Sequence, residues 1–190
     1  MTASNWLGVE TKAAKSNMHK YPKLSEQYQT MIGKMVDEFT AMGAVVILDL
    51  QWSDDDAEQT NMPLKNKSGT GGAFEFWDSV SAKFKDNDHV FYELFNEPFK
   101  NSTDTWMNGN GTYAGVLDMI KTIRKNSIDQ MLVIAGANSY GYDADSLVEL
   151  GQNITDSLVM YNFHPYMGPN QAGDTRKNAD GYESMVQTIM

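Results

Sequence analysis

At 190 residues the chain is long enough for one domain with a sizeable core, and its composition is that of an ordinary globular protein: 41% hydrophobic, 11% aromatic and 21% charged. A net charge of −10 argues against nucleic acid and anionic membranes as partners and suits a neutral one. The lack of cysteine excludes a disulfide framework and a thiolate metal centre, and no apolar run approaches membrane-spanning length.

Met1 to Lys23 is polar and carries no apolar segment of the signal-peptide kind. Asn66-Lys67-Ser68, Asn101-Ser102-Thr103, Asn110-Gly111-Thr112 and Asn153-Ile154-Thr155 match the N-glycosylation pattern, a slight lean toward an extracellular protein. Ser25 caps a helix expected to run to Met42, with Tyr28, Met31, Ile32, Met35, Val36 and Phe39 on one apolar face and Gly43 as its stop. Ala44 to Leu50, AVVILDL, reads as a strand buried on both faces.

Gln51 to Gly72 is a long polar loop. Its Gly69-Thr70-Gly71-Gly72 lacks the Lys-Ser/Thr of a phosphate loop, and Asp54-Asp55-Asp56 lacks the ligand spacing of a calcium loop. No metal and no cofactor is expected. A second helix covers Phe74 to Lys85, with Phe74, Trp77, Val80 and Phe84 on one side. The next stretch, His89 to Phe99, reads HVFYELFNEPF: a run of β-formers that breaks off at Asn96-Glu97-Pro98, because proline has no N–H for a ladder. Lys100 to Gly111 reads as a polar loop. A third helix is expected over Thr112–Lys125, with Tyr113, Val116, Leu117, Ile120 and Ile123 inward, and a strand over Met131–Ala135. A short helix near Asp145 to Leu150 ends at Gly151, a fourth strand covers Leu158–Phe163, and Tyr182, Met185 and Ile189 open a last helix.

The alternation of helix and strand implies parallel strands with helical crossovers, and no linker divides the chain, so residues 1–190 are expected to form a single domain. Helix-to-strand links are short, whereas the strand-to-helix links Gln51–Gly72, Glu97–Gly111 and His164–Asp180 are long. All the long loops therefore gather at the carboxyl ends of the strands. A barrel of the TIM type builds its site there from many loops, and a doubly wound sheet uses that side only near one switch point. Every strand here ends in polar or aromatic residues, Gln51-Trp52, Asn96-Glu97, Asn138-Tyr140 and His164-Tyr166, which favours the barrel.

Glu97 stands at the end of an apolar strand, the setting in which a general acid is made. Taken alone, Asn-Glu-Pro fits equally a strand-end carboxylate in a salt bridge or a helix cap. His164-Pro165-Tyr166 ends the fourth strand as Asn96-Glu97-Pro98 ends the second, and His and Tyr converging on a strand-end Glu form a stronger pattern.

FYELFNEP, preceded by VILDL and followed by a strand-end FHPY, resembles glycoside hydrolase family 5, retaining (β/α)8-barrel enzymes acting on β-linked glycans. The resemblance implies a partial (β/α)8 TIM barrel, approximately strands three to six with their helices, and a β-glycan substrate such as cellulose, β-glucan or mannan. It implies Glu97 as acid/base, Asn96 as a donor to the sugar 2-hydroxyl, Tyr166 as a contact of the nucleophilic carboxylate, and His164 as part of the same subsite. Where the family usually has His, this chain has Gln51, which cannot titrate. Trp52 and Tyr140 are candidates for sugar stacking, with core or rim packing as the alternative. The family's nucleophilic Glu belongs to a later strand, and none of Asp174, Asp180 and Glu183 takes its place. The chain by itself is therefore expected to be an inactive central part of a secreted glycosidase. The rival expectations are a non-catalytic carbohydrate-binding relative and an unrelated doubly wound α/β enzyme.

Overall fold

The computed structural model describes residues 1–8, 25–51, 61–65, 72–138 and 140–164. The elements run α1 (Ala3–Leu7), α2 (Ser25–Ala41), β1 (Val46–Asp49), α3 (Ala73–Phe84), β2 (Val90–Glu93), α4 (Thr103–Asn108), α5 (Val116–Arg124), β3 (Leu132–Ala135), α6 (Ala144–Asn153) and β4 (Val159–Asn162). The four strands form one parallel sheet in the order β1-β2-β3-β4. Spatial order equals chain order, without the reversal that marks a doubly wound sheet. That is the wall of a partial barrel. The β1–β2 pairing continues past both strands: the Leu50 N–H donates to the Glu93 carbonyl and the Asn96 N–H to the Leu50 carbonyl, each at 3.2 Å.

Each strand turns alternate residues to opposite faces. Leu48 and Leu50, Tyr92 and Leu94, and Leu132 and Ile134 point to the helices, in one buried cluster with Phe76, Trp77, Val80, Met119 and Ile123. Three indoles knit this layer together, and each satisfies its buried N–H as such groups must. Trp6 donates to Ser79 Oγ (2.9 Å), Trp77 to the Leu94 carbonyl (3.1 Å) and Trp106 to the Ala135 carbonyl (2.9 Å). The last two bonds end on the segments that carry β2 and β3 toward the loop face.

Arg124, at the end of α5, ties together three chain segments. Its Nε and Nη2 clasp both Asp156 oxygens (2.7 and 3.0 Å), and Nη1 donates to the carbonyls of Ser127 (3.0 Å) and Gln130 (2.8 Å). The Asp156 Oδ1 also accepts from the Leu158 N–H (3.0 Å), so the approach to β4 is fixed to the approach to β3.

Several expectations need correction. AVVILDL is not buried on both faces: Val45 and Ile47 are 49% exposed, because β1 is an edge of the sheet and its inner side faces no second layer among the described residues. On α2 only Val36 is buried, while Met31, Met35 and Phe39 stand nearly half exposed, since the helix packs mainly on α1 and β1 with its other face. The expected loop Lys100–Gly111 contains α4, capped by Ser102 Oγ accepting from the Thr105 N–H (3.1 Å) and held by buried Trp106 and Met107. Six residues are too few for helical periodicity to show. Helix α5 starts at Val116, since Tyr113 bridges to Leu64 instead. Helix α6 runs through Gly151 to Asn153. Neither α1 nor the burial of Phe76 was expected, and α1 is anchored chiefly by Trp6, fully buried together with Ala3. Asp54–Asp56 and the last helix expected around Tyr182 lie outside the described residues.

Replacing Arg124 with Ala should lower unfolding free energy in urea by about 2 kcal/mol, since it deprives a partly buried carboxylate and two carbonyls of their charged donor. Arg124 holds the Asp156 carboxyl below its ordinary 3.8, so that stabilisation is present above 3.8 and lost as pH falls through the lower folded value. The gap between variant and parent should narrow over that acid range.

Candidate active site

The face of the sheet turned away from the helices carries Ile47 and Asp49 on β1, Phe91 and Glu93 on β2, Val133 and Ala135 on β3, and Met160 and Asn162 on β4. Parallel registration sets Asp49 opposite Glu93, and Ala135 opposite Asn162. By that register Ile47 and Phe91 lie one step below Asp49 and Glu93, Val133 and Met160 stand level with Glu93, and Asn162 stands one step further toward the loops, level with Ala135. The Asn162 amide reaches back to donate to Glu93 Oε1 across β3, which contributes only Val133 and Ala135 to this face.

Beyond β2 the alternation breaks. Leu94 and Phe95 are both fully buried, with Phe95 packed on Trp106 (ring centroids 6.4 Å apart). Glu97 then takes a left-handed backbone, φ 50°. For a residue with a Cβ this costs on the order of 1–2 kcal/mol, so the surroundings must enforce it. Its carboxyl lies against His164, Oε1 to Nδ1 at 3.1 Å, while His164 Nε2 sits 3.8 Å from Glu93 Oε1.

The loops after β2 and β3 are sewn together around this pair. The Lys100 N–H donates to Asn138 Oδ1 (2.9 Å), and the Asn138 N–H to Asn101 Oδ1 (2.7 Å). The Gly141 N–H donates to the Pro98 carbonyl (3.3 Å), and the His164 N–H to the Gly141 carbonyl (3.2 Å). Gly141 has φ 76°, and a Cβ built on it would touch His164 Cγ (3.6 Å) and Glu97 Cα (3.8 Å). Among the described residues, every non-glycine with positive φ lies in these two loops: Glu97, Lys100, Asn138 and Tyr140. Strain of this kind concentrates where a site must be held in shape.

Burial raises two carboxyls on the inner face of the sheet. Asp49 is pushed up to about 7, chiefly by desolvation, with the Met1 ammonium opposing and the Glu93 and Glu97 charges adding. Desolvation also raises Glu93; His164 and the Asn162 amide pull it back, and Glu97 pushes it further up. Asp49 Oδ1 and Asn162 Oδ1 are buried without a hydrogen-bond partner. Among the described residues no group of His, Asp and Glu has the arrangement to hold a metal ion, and no helix is long and apolar enough to cross a membrane.

Of the residues singled out in the sequence, the structure brings Glu97 and His164 into contact and sets Asn96 beside them, half-buried at the end of the β1–β2 ladder. Gln51 follows β1 on the same side, half-buried, its N–H donating to the Met1 carbonyl (2.8 Å). Tyr140 is 46% exposed at the rim and stacks on Phe99, ring centroids 4.7 Å apart and planes 16° from parallel. Trp52 and Tyr166 lie outside the described residues. Sequence reasoning passed over Asp49, Glu93 and Asn162. Their signal was there: each is a polar residue inside a strand of β-formers, VILD, VFYE and VMYN. Period two places Glu93 on the inner face.

Asp49→Asn should stabilise the chain at neutral pH. The folded carboxyl titrates near 7 against an ordinary 3.8, so the folded state holds the extra proton between those values and the parent loses stability as pH rises through them. The Tm advantage of the variant should be absent near pH 4 and reach several degrees by pH 8, given that about 1 kcal/mol moves the Tm of such a chain by roughly 2–4 °C. A thermal scan series at fixed ionic strength checks this; a gap that does not change with pH contradicts it.

The fold has counterparts among known proteins. The family model Cellulase (glycosyl hydrolase family 5) matches residues 6–190. Endoglucanase A of Butyrivibrio fibrisolvens is 29% identical over 111 residues, spanning 58% of this chain and 24% of that protein. The solved structure of Cellulase Cel5C_n superposes with a TM-score of 0.61 at 24% identity, over 98% of this chain and 51% of that one. XacCel5A, solved in complex with cellopentaose, gives 0.61 at 17% identity, over 86% of this chain and 56% of that one. The chain thus spans about half of the solved barrels it matches and about a quarter of the curated relative. With a family model matching residues 6–190 and a sheet that forms part of the same barrel, the chain belongs to glycosyl hydrolase family 5, the cellulases.

Proposed function

We propose that this chain supplies the acid/base half of a retaining β-glycan hydrolase, with Glu97 as the proton donor. The observation that carries the reading is Glu97 itself: a carboxyl at the loop end of β2, held in a left-handed backbone and hydrogen-bonded to His164 at 3.1 Å. A glycosidase of this kind needs one carboxylic acid to protonate the leaving oxygen and then to activate water. The second carboxylate, the nucleophile, comes from polypeptide outside the described residues and stands about 5–5.5 Å from the first in a retaining enzyme. The family resemblance gives Asn96 the sugar 2-hydroxyl and sets Tyr166 and His164 around the nucleophilic carboxylate, and the flat rings of Trp52 and Tyr140 are the candidates for stacking on sugar faces. A β-1,4-linked glucan is the substrate best supported, since the related Butyrivibrio protein is an endoglucanase and XacCel5A was solved with cellopentaose. Such polymers lie outside cells, which fits an extracellular enzyme.

In a polypeptide that completes the barrel around this chain, Glu97→Gln should cut hydrolysis of unactivated glucan by about 10²–10⁴-fold, the usual worth of general acid catalysis. The loss should be far smaller on an aryl glycoside whose leaving group needs no proton. Reducing-sugar release measures it, and activity within twofold of the parent would rule Glu97 out.

Tyr140 presents one ring face to Phe99 and is nearly half exposed. Tyr140→Ala should raise the KM for long oligosaccharides several-fold, as loss of one stacking platform does, with Tm nearly unchanged. A large drop in Tm with KM intact would make Tyr140 a packing residue.

A further inference from the structure

We propose that Glu93 is a positioning residue: it sets the tautomer of His164 and through it keeps Glu97 in the proton-donating form. The proposal rests on the acid/base role given to Glu97 above.

The imidazole of His164 lies between two carboxyl groups. Its Nδ1 is 3.1 Å from Glu97 Oε1 and its Nε2 is 3.8 Å from Glu93 Oε1. Glu93 is not free to turn away, because the same Oε1 accepts the Asn162 amide, and Asn162 precedes His164 by two residues on the same side of the chain. Glu93 is the more enclosed of the two carboxyls, its side chain 14% exposed against 19% for Glu97.

A neutral imidazole carries one proton, and the nitrogen that holds it is chosen by the partner of each nitrogen. At 3.8 Å Glu93 acts on Nε2 through its charge and not through a hydrogen bond, and an ionised Glu93 favours the proton on that nitrogen. Nδ1 is then left with a lone pair facing Glu97. That lone pair accepts from a protonated Glu97 and gives nothing to an ionised one, whereas a proton on Nδ1 would favour the Glu97 carboxylate. A general acid that must be loaded before each turnover benefits from the first arrangement. The other charged groups facing this cluster among the described residues are Asp49 on β1 and the Met1 ammonium ahead of α1; β3 presents none. Asp49 is opposite Glu93 in register, so its charge reaches His164 with Glu93 in between.

Two measurements test this independently. In the ¹⁵N-labelled chain, which has three histidines, the ring nitrogens of His164 report the tautomer directly. The expected result is a protonated Nε2 in the parent, and a shift toward protonated Nδ1 in Glu93→Gln and Glu93→Ala, which both remove the charge. A parent His164 with its proton on Nδ1 overturns the proposal, whatever the enzyme does. In the completed barrel, Glu93→Ala should lower kcat on unactivated glucan about 10–100-fold with KM little changed. It should also move the alkaline limb of kcat/KM to lower pH, and Glu93→Gln, which keeps the shape without the charge, should move it the same way. Asn162→Ala, which releases Glu93 without removing it, should move the limb the same way by less; it serves if Glu93→Ala does not fold. A limb that stays in place in the folded variants, while activity is measurable, overturns the proposal. A parent that hydrolyses no glycan at all refutes the acid/base reading instead, and the tautomer measurement still decides the role of Glu93.

Discussion

The site depends on one constraint, the register of four parallel strands. Pairing Asp49 with Glu93 and Ala135 with Asn162 fixes which residues share a height on the inner face. A slip by one residue would turn Asp49 and Glu93 toward Trp77 and Phe76 and bring Leu48 and Tyr92 to the cleft. The outer face forbids that slip, because its apolar residues are already committed to the helices. Hydrophobic packing on one side of the sheet thus determines the electrostatics on the other. It places two carboxyls where water is scarce, so that burial raises both, and the Glu93 charge adds to the rise of Asp49.

The second layer of control is hydrogen bonding from the core outward. The indoles of Trp77 and Trp106 donate to carbonyls at the ends of β2 and β3, so the strand ends are held from behind. The backbone can then adopt the left-handed conformations of Glu97, Asn138 and Tyr140, which it would not hold alone. Arg124 does the equivalent at the opposite end of the sheet, fastening the entrances of β3 and β4. Rigidity at both ends leaves His164 and Glu97 little freedom to part.

Much of this could be read from the residues. Alternating helix and strand, long loops on one side and the break at Asn96-Glu97-Pro98 led to the barrel wall and to the strand ends that carry Glu97 and His164, although His164 was expected beside the second carboxylate and not in a bond to Glu97. What escaped was the inner face. AVVILDL looks uniformly apolar, so Asp49 passed as an interruption; the alternation that separates it from Leu48 and Leu50 is visible only once one face is seen to lack helices. Glu93 was hidden in the same way inside FYELF. Helix α4 and helix α1 escaped for a different reason: each is too short for a period, and each is held chiefly by one buried tryptophan, a tertiary contact that local pattern does not encode. The exposed methionines of α2 show the converse, a clear amphipathic stripe that the described residues leave uncovered.

The stitching of the two loops around Asn138 bears on how such an enzyme can diverge. Asn138 is bonded through its backbone to Asn101 and through its side chain to Lys100, while Gly141 links Pro98 to His164. An insertion in either loop would break bonds made by the other, so the two can change length only together. Drift and selection are then channelled to loops that are not shared in this way. The segment that follows β1 is tied in as well, since the Phe99 N–H donates to the Asn61 carbonyl (3.0 Å), so a change in dimensions on the side holding Glu97 has to be concerted across three connections.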